Sequence, residues 1–231
     1  YLLPSLQALP QKVDLAVVVT AARHVPGIVD DAAARGIQAI LVLSPGLCDQ
    51  APDVQQIEQE VVQRARRSKV RLLGPNCLGL MRPDIGLNAS WARTVARPGN
   101  IALVSQSGAV TTALLDYAWT AGFGFSSVLA TGTESDVGIA EILDFLAGDT
   151  LTRSILLYVE GIHDARGFLS SVRAASSVKP VIVPKAGRHA GGRAAMSHTG
   201  ALVGNDAVFD AALRRAGAVR PANVAIACLR P

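Results

Sequence analysis

Residues 101–109, "IALVSQSGA", pass from four apolar residues straight into a serine, a glutamine, a second serine and a glycine, and the fold class follows from that junction. A short continuous apolar run suits a strand buried on both faces, and the residues after it, 108–121, carry helical spacing. A strand that turns through Ser and Gly into a helix is the repeating piece of a parallel sheet covered by helices.

The same alternation continues on either side of this junction. Downstream, "FSSVLAT" (125–131), "SILLYVE" (154–160) and "PVIVPKA" (180–186) read as strands, with helices expected over 137–147, 165–176 and about 205–216. Upstream, "LAVVVTA" (15–21), "AILVLS" (39–44) and "RLLGP" (71–75) alternate with helices over 25–35 and 53–68, and Gly36 is placed to stop the first. The stretch "MRPDIGLNASWARTVARPGN" (81–100) has Pro and Gly at both ends and reads as a linker dividing the chain near residue 95. Two α/β units are therefore expected, 1–94 and 95–231. The first offers about three strands where a doubly wound domain has five or six. With the chain opening at Tyr1, sequence upstream of it is expected.

Composition narrows the classes. Half of the 231 residues are hydrophobic, enough to build a real core, yet the apolar runs are far shorter than the ~20 residues a membrane crossing needs. No charged segment followed by an apolar one opens the chain, so a soluble, cytoplasmic protein with no membrane partner is expected. Cys48, Cys77 and Cys228 are odd in number and lack metal-ligand spacing, which argues against a disulfide framework or a metal site. The net charge of +4 is mild, and the one basic cluster, "RARRSK" (64–69), falls on the polar side of a helix. Aromatic residues are too sparse to stack bases, so no nucleic-acid partner is expected. An anionic small molecule fits the charge.

Three strand-end loops stand where open α/β sheets hold ligands. Ser105, Gln106, Ser107 and Gly108 would present hydroxyls and backbone N–H groups at a helix start, which suits phosphate; a plain N-cap and tight turn accounts for the same residues equally well. In "YVEGI" (158–162), Glu160 is either a surface carboxylate at a strand terminus, the commoner case, or a group aimed inward to orient a partner, for which histidine is the natural choice. In "GPNCLG" (74–79), Gly74 and Pro75 fix a turn while Asn76 and Cys77 offer polar contacts, and a buried free cysteine is the commoner reading of Cys77.

A fourth loop, "AAMSHTGALVG" (194–204), frames His198 with small residues that allow close backbone approach. His24, His163 and His189 lack such a frame. No G-x-G-x-x-G is present to support an ordinary dinucleotide-binding domain.

Taken in order, "GPNCLG", "NASWA", "PGNIALVSQSGAV", "LLYVEGI", "KPVIVPKAGR" and "SHTGAL.G.DA" span nearly the whole chain and together resemble the NDP-forming acyl-CoA synthetases, the ADP-forming acetate–CoA ligase relatives of succinyl-CoA synthetase alpha. The resemblance implies an α/β protein: a partial Rossmann-like CoA-binding domain over 1–94, then a flavodoxin-like parallel-sheet domain over 95–231 with a phosphohistidine loop. It implies an acid–thiol ligase that interconverts acyl-CoA, ADP and phosphate with carboxylic acid, CoA and ATP through an acyl phosphate and a phosphohistidine. His198 is then the phosphorylated residue and Glu160 orients it. Ser105, Gln106, Ser107 and Gly108, with the following helix, hold the phosphate. Ser44, Gly46, Asn76 and Cys77 line the thiol end of CoA. ATP or ADP with Mg²⁺ belongs to an ATP-grasp part outside these residues, supplied as a domain or a subunit, so an oligomer is expected and the fragment alone should not complete turnover. "NASWA" with "YVEGI.DAR" also resembles the acyl-CoA-sensing, ligase-like region fused to a GNAT-type acetyltransferase in bacterial protein lysine acetyltransferases. Retention of His198, Glu160 and "SQSG" favours catalysis over a purely regulatory role.

Overall fold

In the computed structural model, which describes residues 2–44, 52–184 and 206–221, the chain forms two compact units. One comprises Tyr1–Gly79 with Thr131–Gly138, the other Leu80–Ala130 with Ile139–Pro231.

In the first unit, β1 (Leu15–Val18), β2 (Ala39–Val42) and β3 (Arg71–Leu73) make a parallel sheet in that order. Parallel neighbours cannot be joined by a tight turn, so helices return the chain: α1 (Val25–Arg35) and α2 (Pro52–Ser68). Pro26 sits in the first turn of α1, where its missing N–H costs nothing, and Gly36 ends the helix in the left-handed conformation at φ 77°, as expected. Val25, Val29 and Ala32 of α1 pack with Val61 and Ala65 of α2 over Ile40, Val42 and Leu72 of the sheet.

The segment Thr131–Gly138, "TGTESDVG", completes this unit, although the sequence offers only the end of a strand and the start of a helix there. The Asp136 carboxylate accepts hydrogen bonds from Arg71 Nε and Leu72 N, both at 2.9 Å, and Val137 N donates to Leu72 O at 3.0 Å. Thr133 N donates to Pro75 O at 3.1 Å, and Ser135 Oγ donates to Glu58. Gly132 has φ 63°, and a Cβ there would lie 2.0 Å from Pro75 O. Gly132→Ala is therefore expected to destabilise the protein by about 2–3 kcal/mol and to lower Tm by about 5–10 °C. Gly27, with nothing within 4 Å of its Cβ position, is the control in the same thermal melt. A Gly132→Ala melt that overlays the wild type would show that the backbone approach is not as close as described.

In the second unit the sheet order is β5-β4-β7-β6-β8-β9, with β4 (Gly79–Arg82), β5 (Leu87–Ser90), β6 (Pro98–Ser105), β7 (Phe125–Ala130), β8 (Ser154–Tyr158) and β9 (Val181–Ile182). Strands β7, β6, β8 and β9 run parallel, as expected, whereas β4 pairs antiparallel with β7 and makes the sheet mixed. Residues 81–100 are thus no linker: they hold part of β4, a 3-10 turn at Pro83–Ile85, β5 and the start of β6. The free edge of β7 recruits β4, and Met81, 2% exposed, fastens it to the core. The chain divides at Gly79/Leu80, not near residue 95, because β4 and β5 belong to this sheet.

Helices α3 (Gly108–Ala121), α4 (Ile139–Gly148), α5 (Ala165–Ser176) and α6 (Asp206–Arg215) complete the unit. Gly122, at φ 77°, stops α3. Asp164 caps α5, its carboxylate accepting from Arg166 N at 3.0 Å and Gly167 N at 3.1 Å. Helix α4 begins at Ile139, two residues later than expected. Leu114 and Leu115 of α3 pack on Leu103, Phe125, Val128 and Leu156 of the sheet. Among the described residues no helix is long and apolar enough to cross a membrane.

Candidate active site

Strands β6 and β8 run parallel with Ser105 opposite Tyr158, so their carboxyl ends finish side by side. Ser105 is fully buried: its hydroxyl donates to Ser107 O at 2.9 Å and accepts from Ser107 N at 3.0 Å, closing a tight turn. Gln106 N donates to Tyr158 O at 3.1 Å and extends the ladder by one residue.

Ser107 is the N-cap of α3, extended at φ −106° and ψ 116°, and its side chain makes no capping hydrogen bond. The hydroxyls of Thr111 and Thr112 turn back to the carbonyls of Ser107 and Gly108, at 2.8 and 3.0 Å. A helix normally satisfies its first amides with a capping side chain. Here the amides of the first turn, and the positive end of the helix dipole, are left to whatever occupies the space beyond the strand ends.

Glu160 follows β8 and is partly exposed. Its amide donates to Gln106 Oε1 at 2.6 Å, the Gly161 amide donates to the same oxygen at 2.9 Å, and Gln106 Nε2 donates to Gly161 O at 2.8 Å. One side chain thereby ties the Glu160 turn to the serine turn. The Tyr158 phenol is pushed above its ordinary value first by burial and then by the charge of Glu160. Of the candidates Ser105, Gln106, Ser107, Gly108 and Glu160, the structure brings all five to the carboxyl ends of two neighbouring strands of one sheet. Among the described residues no cluster of His, Cys, Asp or Glu is arranged to hold a metal ion. His198 and Gly46 lie outside the described residues.

The remaining candidates belong to the first unit. Ser44 is 5% exposed and donates its hydroxyl to Thr20 O at 2.6 Å, while its carbonyl accepts from Asn76 N at 3.4 Å. Cys77 is 6% exposed, with its thiol 3.5 Å from Val42 O. Gly74, at φ 99°, passes so close to Val42 that a Cβ would sit 2.4 Å from its carbonyl oxygen. Asn76 takes the left-handed conformation at φ 54° and is exposed. The structure therefore brings Ser44 and Asn76 together, but turns Ser44 and Cys77 inward as props and leaves Asn76 as the outward-facing member. Sequence reasoning missed the side-chain link made by Gln106 and the polar segment 131–138. The available signal was the density of hydroxyls and carboxylates in "TGTESD", directly after a buried strand.

Residues 98–226 match the family described as succinyl-CoA ligase like flavodoxin domain, and residues 2–83 match a CoA binding domain. The chain is 38% identical over 217 residues to the alpha subunit of acetate–CoA ligase [ADP-forming] I of Pyrococcus furiosus, covering 94% of this chain and 47% of that subunit. It is 37% identical to acetate–CoA ligase [ADP-forming] I of Archaeoglobus fulgidus, over 96% of this chain and 32% of that one. Among solved structures, the dinucleotide forming acetyl-coenzyme A synthetase 1 of Ca. Korarchaeum cryptofilum, in complex with phosphate and ADP, superposes with a TM-score of 0.88. That match has 35% identity and covers 96% of this chain and 48% of that one. The chain spans half or less of the length of these relatives. With a CoA binding domain ahead of it and the succinyl-CoA ligase like flavodoxin domain over more than half its length, the chain belongs to the succinyl-CoA ligase like family and is similar through both units to the alpha region of ADP-forming acetate–CoA ligases.

Proposed function

We propose that this region carries the CoA-ligase half of an ADP-forming acyl-CoA synthetase working through a phosphohistidine. Acyl-CoA and phosphate give an acyl phosphate and free CoA. The P–O bond to the acyl group then breaks as His198 nitrogen bonds the phosphorus, and the carboxylic acid leaves. The phosphohistidine passes its phosphoryl group to ADP, held with Mg²⁺ by an ATP-grasp part beyond these 231 residues, joined as a domain or as a partner subunit in a cytoplasmic oligomer.

The observation that carries this reading is the uncapped start of α3 beside a carboxylate at the neighbouring strand end. Phosphate is held by the Ser107 hydroxyl and the amides of Gly108 and Ala109, with the turn shaped from behind by buried Ser105. Glu160 accepts from one imidazole N–H, which fixes the tautomer and leaves the other nitrogen nucleophilic. In the first unit, Asn76, which is exposed, contacts the thiol end of CoA together with Gly46, and Ser44 and Cys77 support the Asn76 turn through Thr20 and Val42.

The relatives' substrate makes acetyl phosphate the probe. Incubating the chain with ³²P-labelled acetyl phosphate is expected to give protein-bound label that is stable in base and lost in acid, as a phosphohistidine is. No such label would overturn the relay. Glu160→Gln is expected to slow labelling about 100-fold, the scale of losing a group that supports proton movement at the reacting centre. Labelling of that variant at the wild-type rate would remove Glu160 from the mechanism.

A further inference from the structure

We infer that Gln106 is a positioning residue: it sets the direction of the Glu160 carboxylate relative to the phosphate turn, and does not itself ligate phosphate. The inference rests on the relay proposed above and adds a residue to it. The Gln106 main-chain N–H is spent on Tyr158 O, so it adds no donor to the serine turn. In the side chain, Oε1 accepts from two consecutive amides, Glu160 N at 2.6 Å and Gly161 N at 2.9 Å, while Nε2 donates to Gly161 O at 2.8 Å.

The two amides belong to the peptides on either side of the Glu160 Cα, Val159–Glu160 and Glu160–Gly161, so holding both to one oxygen restrains φ and ψ of Glu160. The third bond, in the opposite sense, holds the next peptide at Gly161 O. Because the Cα–Cβ bond of Glu160 leaves from that backbone, its direction is set, and the arc the carboxylate can reach is narrowed. On the other side, Gln106 is flanked by Ser105, buried in the sheet, and Ser107, which caps α3. The same residue therefore determines how far the carboxylate stands from the start of the helix. A catalytic constellation tolerates errors of only about 0.5 Å, so a tie of this kind bears directly on rate.

The chemistry of the link is specific to glutamine. Asparagine is one methylene shorter and cannot span the gap. Methionine has the length but leaves two N–H groups and a carbonyl without their partner. Glutamate keeps an acceptor for both amides, the two bonds that hold Glu160, but turns a second acceptor oxygen on Gly161 O where the amide donated.

The test compares single-turnover labelling from ³²P-acetyl phosphate in wild type, Gln106→Met and Gln106→Glu, alongside phosphate affinity measured with inorganic phosphate. Wild type must label first; if it does not, the relay fails and not the positioning of Glu160. Given wild-type labelling, Gln106→Met is expected to lose about 10- to 100-fold in rate, the range seen when a residue that orients a functional group is removed, with phosphate affinity within about twofold of wild type. Gln106→Glu is expected to recover most of that rate, including when the methionine variant fails to fold. Three results would each overturn the inference: a Gln106→Met rate equal to wild type, a loss of phosphate affinity that accounts for the whole change in rate, or a Gln106→Glu variant that folds and is as slow as methionine.

Discussion

Replacing His198 with alanine is expected to abolish the acid-labile label from acetyl phosphate, not merely to weaken it. A phosphoryl group resting on nitrogen needs that nitrogen, and the serine and threonine hydroxyls of the site would give an acid-stable ester instead. The chain supplies its own controls. His163 is exposed and three residues from Glu160, and His189 precedes His198 in the same glycine-rich stretch, so each is a rival acceptor by proximity in sequence. Alanine at either is expected to leave labelling intact. Persistence of label in His198→Ala, with loss in His163→Ala, would move the relay onto the turn that bears Glu160. Phosphate affinity should be unchanged in all three, because the phosphate turn proposed above consists of Ser107 and the first amides of α3 and includes no histidine.

Arg82→Met is expected to be the most destabilising exchange at an ion pair in the second unit. The guanidinium meets Asp149 through two 2.9 Å hydrogen bonds, gives a third to Ser127 Oγ at 2.8 Å and pairs with Asp84 at 2.8 Å. Thr152 donates to the Asp149 carboxylate at 2.6 Å and shares a 2.8 Å hydrogen bond with Ser126. The Asp149 side chain is only 7% exposed, so removing its cation leaves a carboxylate buried without its counter-charge. The expected cost is about 3–5 kcal/mol, a fall in Tm of about 10 °C or more. Arg82→Met combined with Asp149→Leu should recover much of it, because an apolar pair of similar volume avoids the desolvation penalty.

The same pair sets an acid limit. Hydrogen bonding to Arg82 holds the Asp149 carboxyl at about 2, below its ordinary 3.8. A carboxyl depressed in the folded state contributes stability that is complete above the unfolded value and is lost as pH falls toward the folded one. Wild-type stability should therefore drop by about 2 kcal/mol between roughly pH 4 and pH 2 from this group. Denaturant titrations across that range should show the drop in wild type and a shallower one in the double variant. Equal slopes would assign the acid loss to other carboxylates.

What could be read from the sequence was what is encoded locally. Helices α3 and α5 match their expected ranges end to end because each carries its own boundary signal, Gly122 after one and Asp164 before the other. Strands β4 and β5 were not legible. Two runs of four residues, one ending before Pro83 and the other starting after Gly86, read as loop, and only the open edge of β7 makes them part of a sheet. The segment 131–138 hid for a related reason: Asp136 finds its partner in Arg71, 65 positions earlier. At the site, the serines, Gly108 and Glu160 could be placed at strand ends from pattern alone. The work of Gln106 could not, since its side-chain bonds to Glu160 and Gly161 reach residues 54 and 55 positions away. Nor could the inward turn of Ser44 and Cys77, which depends on carbonyls of Thr20 and Val42 presented by other strands.

The docking of Asp136 beneath Arg71 and Leu72 makes the first unit discontinuous in the chain, and this bears on how the protein is made. When residues 1–79 leave the ribosome, the Leu72 amide and the Arg71 guanidinium have their strand but not their carboxylate. The unit cannot be finished until β4 to β7 have been synthesised and the chain has come back. Its last stabilising contacts are thus delayed by translation, and a polypeptide cut after residue 79 or 94 lacks a piece of its own first domain rather than ending at a domain boundary.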